Sequence, residues 1–198
     1  MCSQEEKQMK KIAVYCGASS GNDPVYTKAA QNLGAYLASH QLELIYGGGG
    51  FGLMGALAKE VLAKGGVVHG IIPKVLYDRG AALDGLTDLE VVADMATRKQ
   101  RMLTEADGCL ALPGGPGTLE EISEAFSWAR IGENNAPCAF FNVMGYYNPL
   151  AQMFDQMTAK GFLTVADRQK LCFSDSLTAI FTFMKTYIPP EIRTYPGH

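Results

Sequence analysis

The chain has 198 residues, 47% of them apolar, with a mean hydropathy of +0.01 and a formal net charge of −3. That length fits a single domain able to bury most of its apolar surface without staples. The charge balance gives no argument for a nucleic-acid partner, no Lys/Arg-rich run appears, and no stretch of about 18 apolar residues could span a membrane.

The first ten residues are polar and lack an apolar core, which argues against a secretory signal. They read as a flexible N-terminus before a domain over 11–188 and a tail over 189–198. The five cysteines, at positions 2, 16, 109, 138 and 172, lie far apart. Cys16, Cys109 and Cys138 fall in or beside apolar runs, where a reduced cysteine acts as a small hydrophobe. The histidines at 40, 69 and 198 are scattered, and none pairs with a cysteine at ligand spacing, so no metal site is expected. A reducing cytoplasm is the expected compartment.

Residues 11–16 read as a strand and 24–39 as a helix, started by Asp23 as N-cap with Pro24 behind it. A second strand over 42–46 leads into a glycine cluster and a helix to about Lys64, stopped by Gly65 and Gly66. Residues 67–72 form a third strand closed by Pro73, and 74–87 an irregular loop with a short helix. A short strand over 89–92 precedes a helix over 95–105. Residues 109–112 make a fifth strand, followed by a glycine-rich loop and a helix to about Ile131. A sixth strand covers 138–143, and helices cover 149–160 and 176–187.

Apolar strands alternating with helices predict an α/β fold, a Rossmann-like doubly wound parallel sheet covered on both faces. Ligands in such sheets bind at the carboxyl ends of the strands, near a switch in strand order. Three glycine-rich loops, after strands one, two and five, emerge at that edge.

The most informative segment is Pro113-Gly114-Gly115-Pro116-Gly117-Thr118-Leu119-Glu120-Glu121. Glycines between a strand and a helix let backbone N–H groups converge without Cβ clashes, and the helix N-terminus adds partial positive charge, so the loop suits a phosphate. Gly114, Gly115, Gly117 and Thr118 are the candidate anchors. Glu121 places a carboxylate one turn into the helix. Thr118-Leu119-Glu120-Glu121 also reads as a capping box, in which Thr118 caps the backbone and Glu121 reaches back to it.

The second loop matches G-x-G-x-x-G in two registers, Gly47/Gly49/Gly52 and Gly50/Gly52/Gly55. It follows the second strand, and no acid ends the next strand to hold a ribose hydroxyl, so a redox dinucleotide is not expected. Either tight strand–helix packing or a place for part of a mononucleotide remains, with Gly49 and Gly50 as candidate contacts. Arg98 lies near the end of the fourth strand, where its guanidinium could clamp phosphate or ribose oxygens, or join Lys99 and Arg101 on a solvated basic face. Ser19 and Ser20 could bond a ligand or cap a turn. Met54, Met95 and Met102 read first as core side chains.

The nine-residue segment resembles the PGGxGTxxE signature of the LOG (Lonely Guy) family, long labelled "possible lysine decarboxylase". Cys16-Gly17-Ala18-Ser19-Ser20-Gly21 is similar to that family's first glycine-serine loop, and the run from Tyr46 to Gly55 to its second. Met95-Ala96-Thr97-Arg98-Lys99 resembles its M-x-x-R-K element, and Gly145-Tyr146-Tyr147-Asn148 a stretch after its sixth strand. Pro116 departs from the Tyr or Phe that plant members often carry there.

The resemblance implies a phosphoribohydrolase that cleaves the N-glycosidic bond of cytokinin riboside 5′-monophosphates, and often AMP, to free base and ribose 5-phosphate. It implies Arg98 and Glu121 as catalytic residues, and Met95 and Lys99 as substrate contacts with the element that holds them. Glu124, at a frequently acidic family position one turn beyond Glu121, would assist. No metal or organic cofactor is implied, and the expected assembly is a homodimer. Lysine decarboxylation has little support, because no lysine sits in a recognisable pyridoxal phosphate context. A carrier of nucleotide or molybdenum cofactor is the rival reading, since it needs phosphate anchors but not both Arg98 and Glu121.

Overall fold

The computed structural model describes residues 9–192. Residues 1–8 and 193–198, which hold most of the expected N-terminal segment and part of the expected tail, lie outside it. Seven strands form one parallel sheet: β1 (Lys11–Tyr15), β2 (Glu43–Tyr46), β3 (Val68–Pro73), β4 (Asp88–Val92), β5 (Gly108–Ala111), β6 (Cys138–Phe141) and β7 (Leu171–Ser174). Their spatial order is β4-β3-β2-β1-β5-β6-β7. The chain winds outward from β1 to β4, returns across the sheet, and winds the other way from β5. The expected α/β, Rossmann-like doubly wound sheet in a single domain is the fold observed.

Strand alternation divides the core. Ile12 and Val14, Leu44 and Tyr46, Leu110 and Leu112, and Ala139 and Phe141 face one layer. That layer is covered by α1 (Pro24–Ser39), α2 (Gly52–Ala63) and α8 (Leu177–Lys185). Ala13 and Tyr15, Ile45, Cys109 and Ala111, and Cys138 and Phe140 face the other. There they meet α4 (Met95–Glu105), α5 (Pro116–Ala129) and α6 (Asn148–Ala159). Strands buried on both faces carry continuous apolar runs, which is why they were legible.

Local chemistry sets the helix starts. Asp23 Oδ1 accepts from Val25 N at 2.9 Å with Pro24 at the first helical position, as expected. Asp94 Oδ1 accepts from Thr97 N at 2.8 Å and starts α4 at Met95. The short α3 (Lys74–Tyr77) is the short helix expected within the loop over 74–87.

The sequence reading missed the seventh strand and the one-turn α7 (Val165–Arg168) before it. β7 has only four residues and a half-buried edge position, so neither length nor alternation marks it. It is held sideways instead, by Phe173 stacked on Phe140 with ring centroids 4.3 Å apart and by the Arg168 guanidinium 5.2 Å from the Phe173 centroid. The sixth strand stops at Phe141 rather than 143, because Asn142 turns the chain into a 3₁₀ turn over Val143–Gly145.

Helices α1 and α2 approach closely through Gly34. A Cβ there would lie 2.9 Å from the Leu57 carbonyl oxygen and 3.0 Å from Glu60 Cβ. Gly34→Val should therefore destabilise the fold by about 1–3 kcal/mol through overpacking, read as a lowered urea midpoint.

Candidate active site

The switch in strand order falls between β1 and β5, and a cleft of about 270 Å³ opens at their carboxyl ends. It is lined by the end of β1, by Gly17 and Ala18, by Gly47 and Met54, by Leu76, by Arg98 and Met102 of α4, and by Gly115, Gly117, Thr118 and Glu121. A larger hollow of about 650 Å³ lies beside α7 and residues 188–192, but it shares no residue with the motifs described above.

Three loops meet at Gly17. Its N–H donates to the Pro113 carbonyl at 3.1 Å, and its carbonyl accepts from Leu53 N at 3.0 Å and Met54 N at 3.4 Å. The second glycine loop is thereby a brace. Gly52 sits at φ +59°, and a Cβ on it would lie 2.3 Å from the Ala18 carbonyl carbon. Gly49 and Gly50 do not line the cleft; Gly49 bridges to Ala82, and Gly50 N donates to the Ala81 carbonyl at 2.9 Å.

In the signature loop the glycines differ. A Cβ on Gly114 would lie 2.1 Å from Thr118 Oγ1 and 2.9 Å from Gly17 N, so close approach excludes any side chain. At Gly115 and Gly117 a Cβ would meet nothing within 4 Å and would project into open space. The capping box does not form. Helix α5 starts at Pro116 with Gly115 as N-cap and no side-chain cap bond, which puts Thr118 inside the helix. Proline at the first helical position moves the start upstream of where Thr118 could cap.

Glu121 turns inward and ion-pairs with Arg98 through its Oε1 and the arginine Nη2. Both residues are 8% exposed. Arg98 is thus a buried side chain rather than part of a solvated basic face, and its Nε has no partner among the described residues. Burial pushes the Glu121 carboxyl above the ordinary glutamate value, and Arg98 pulls it part of the way back. Burial and the Glu121 charge also raise the Cys16 thiol, leaving it neutral beside the pair. Gly47 makes room for the guanidinium, since a Cβ there would lie 3.1 Å from Arg98 Nη1.

The other expected contacts lie around the cleft rather than in it. Lys99 Nζ bonds Glu120 at 2.7 Å and Glu124 at 3.0 Å, tying α4 to α5 just outside the buried pair. Ser19 and Ser20 are exposed, and Ser19 Oγ accepts from Gly21 N at 3.4 Å within its own turn. Met95 is exposed at the start of α4, whereas Met54 and the otherwise buried Met102 both line the cleft. The sequence reading did not name Tyr15, Cys16 or Leu76 as cleft residues. Tyr15 and Cys16 read as strand core, although the loop that follows them is expected at the binding edge. Among the described residues no cluster of His, Cys, Asp or Glu could hold a metal, and no helix is long and apolar enough to cross a membrane.

The cleft thus brings the N-terminus of α5 and the open glycines Gly115 and Gly117 beside the buried Arg98–Glu121 ion pair. The family model described as "possible lysine decarboxylase" matches residues 54–184. A cytokinin riboside 5′-monophosphate phosphoribohydrolase of Arabidopsis thaliana is 39% identical over 184 residues, covering 93% of this chain and 86% of that protein. A probable enzyme of the same name from Oryza sativa subsp. japonica is 40% identical over 174 residues, covering 88% of this chain and 76% of that protein. The chain belongs to the LOG family.

Among solved structures, the molybdenum cofactor carrier protein of Chlamydomonas reinhardtii aligns with a TM-score of 0.69 at 18% identity, covering 90% of this chain and 97% of that one. The molybdenum cofactor binding protein of Rippkaea orientalis gives 0.66 at 17%, covering 91% and 98%. These two are likenesses of fold.

Removing one member of a buried ion pair leaves the other uncompensated, so Arg98→Met should cost about 3–5 kcal/mol at neutral pH. Without Arg98 the buried Glu121 carboxyl holds its proton more tightly folded than unfolded. The variant's deficit should therefore shrink as pH falls toward the carboxylate range, and Arg98→Met with Glu121→Gln should recover part of it. Denaturant titrations at several pH values read both effects.

Proposed function

We propose that this chain hydrolyses the N-glycosidic bond of nucleoside 5′-monophosphates, cytokinin riboside 5′-monophosphates first and AMP as well, releasing the free base and ribose 5-phosphate. The observation that carries this reading is the buried Arg98–Glu121 pair one helical turn from the open glycine loop at the start of α5. Supporting it, the relatives described above are named cytokinin riboside 5′-monophosphate phosphoribohydrolases, and the match covers 86% and 76% of their lengths.

The chemistry suits the residues. Breaking the C1′–N9 bond builds positive charge on the ribose, and a carboxylate in a site of low dielectric stabilises that oxocarbenium-like state. Glu121 supplies the charge or orients the attacking water. Gly115, Gly117 and Thr118 anchor the 5′-phosphate at the helix N-terminus, so binding energy from a remote group positions the reacting bond. Arg98, with its unpaired Nε, holds ribose or phosphate oxygens when substrate enters, and its departure from Glu121 bares the carboxylate. Lys99, Glu120 and Glu124 keep α4 and α5 in register beneath that exchange. The reaction needs no organic cofactor, and the chain acts as a cytoplasmic homodimer. A carrier would need the cradle but not a reactive pair in the same cleft.

Incubation with AMP and isopentenyladenosine monophosphate should release free base, while adenosine and isopentenyladenosine react poorly because they lack the anchoring phosphate. Equal turnover of AMP and adenosine, followed by chromatography of the base, would remove the phosphate-anchoring account. Failure of all four substrates would remove the hydrolase reading.

Glu121→Gln keeps the side chain's size and its ability to accept from Arg98, but removes the charge. It should lower turnover by about two orders of magnitude or more while AMP binding survives. Near-normal turnover would reduce Glu121 to a structural partner of Arg98.

A further inference from the structure

Two neighbouring tyrosines after β6 reach behind the signature loop. Tyr146 donates its hydroxyl to the Gly114 carbonyl at 2.6 Å, and Tyr147 donates its own to the Leu112 carbonyl at 2.6 Å. The two bonds match in length but differ in what they can orient. In a trans peptide the C=O and the following N–H point in opposite directions in one plane. The described peptides are all trans. The Gly114 carbonyl shares its plane with the Gly115 N–H, so holding one aims the other. The Leu112 carbonyl shares its plane with the nitrogen of Pro113, which carries no hydrogen.

We propose that Tyr146 is a positioning residue for phosphate recognition, which turns the Gly115 N–H toward the cleft by anchoring the Gly114 carbonyl from behind. Tyr147 holds only the base of the loop. The Gly115 N–H has no backbone acceptor among the described residues. It stands at the N-cap of α5, where no side chain caps the helix and the next residue, Pro116, brings no N–H. Gly115 lines the cleft, and the space in front of its Cα is open.

The tyrosine is itself held in place. Its ring lies edge-on to Tyr26, with centroids 5.9 Å apart, and to Tyr147, with centroids 5.0 Å apart. Asn142 fixes the turn that carries both, accepting from Tyr147 N at 2.7 Å and donating to Asn148 Oδ1 at 2.8 Å. The Gly145-Tyr146-Tyr147-Asn148 stretch thus acts on the ligand through the signature loop and not by contact.

The inference rests on the phosphate-anchor reading given above, so its test measures binding rather than turnover. Calorimetric titration of ribose 5-phosphate into the wild-type protein, Tyr146→Phe and Tyr147→Phe separates the two tyrosines. Tyr146→Phe should weaken ribose 5-phosphate roughly tenfold, the scale of one lost oriented hydrogen bond to a charged group. Tyr147→Phe should stay within about twofold of wild type, although it leaves a buried acceptor unpaired and lowers the melting temperature more. Adenosine affinity should be unchanged by either substitution.

The proposal is overturned if Tyr146→Phe binds ribose 5-phosphate like the wild type. It is equally overturned if Tyr147→Phe loses as much affinity, or if the wild type does not bind ribose 5-phosphate. A wild-type protein that binds ribose 5-phosphate yet cleaves no nucleotide would refute the hydrolase while the contrast between the tyrosines still stands.

Discussion

A guanidinium and a carboxylate taken out of water together constrain everything around them. Withdrawing each charge costs several kcal/mol, and their attraction repays this only when the surroundings hold them in contact. Here Arg98 comes from the helix that carries the chain back across the sheet, and Glu121 from the first helix of the second half. The pair therefore forms only when both halves of the sheet are assembled. A side chain on Gly47 would crowd the guanidinium, and Lys99 clasps Glu120 and Glu124 outside, tying the helices together. Two well-packed apolar residues would serve stability at least as well. A costly ionic pair at the binding edge is thus better understood through its chemistry than through its contribution to folding.

The glycine-rich loops divide their tasks by what surrounds each Cα. Gly17 joins the loops by hydrogen bonds, Gly52 and Gly114 permit backbones to touch, and Gly115 and Gly117 face empty space. Only the last two have room in front of them for a ligand. A dinucleotide-like pattern in the second loop is satisfied almost entirely by internal packing, which explains why its sequence resembles a cofactor motif without the acid that would complete one. The same letter in the sequence serves close approach in one place and vacancy in another.

The fold and the chemistry carry separate information. The fold is shared with molybdenum cofactor carriers at under a fifth identity, so architecture alone does not select a reaction. The relatives at 39–40% identity are named cytokinin riboside 5′-monophosphate phosphoribohydrolases, whereas the family model is described as possible lysine decarboxylase. Among the described residues the cleft is lined by Glu121 and Arg98 and by no lysine, an arrangement that suits the chemistry proposed above better than a lysine-based one.

By itself the sequence determined the alternation of strands and helices, the parallel sheet, and the start of α1, because doubly buried strands and a Pro behind an Asp cap leave strong local patterns. It also marked Arg98, Glu121 and the signature glycines. Tertiary structure decided the rest. Whether Thr118-Leu119-Glu120-Glu121 is a capping box depends on where α5 begins, and Pro116 moved that start. Whether Arg98 is solvated depends on a partner 23 positions away, and whether Gly49 and Gly50 face a ligand depends on residues 81–83. β7 pairs with β6 and is braced by Phe173 between Phe140 and Arg168, lateral contacts with no periodic signature. Local patterns report what each segment does with its own backbone. Burial of a charge and openness before a glycine are properties of what arrives from elsewhere in the chain.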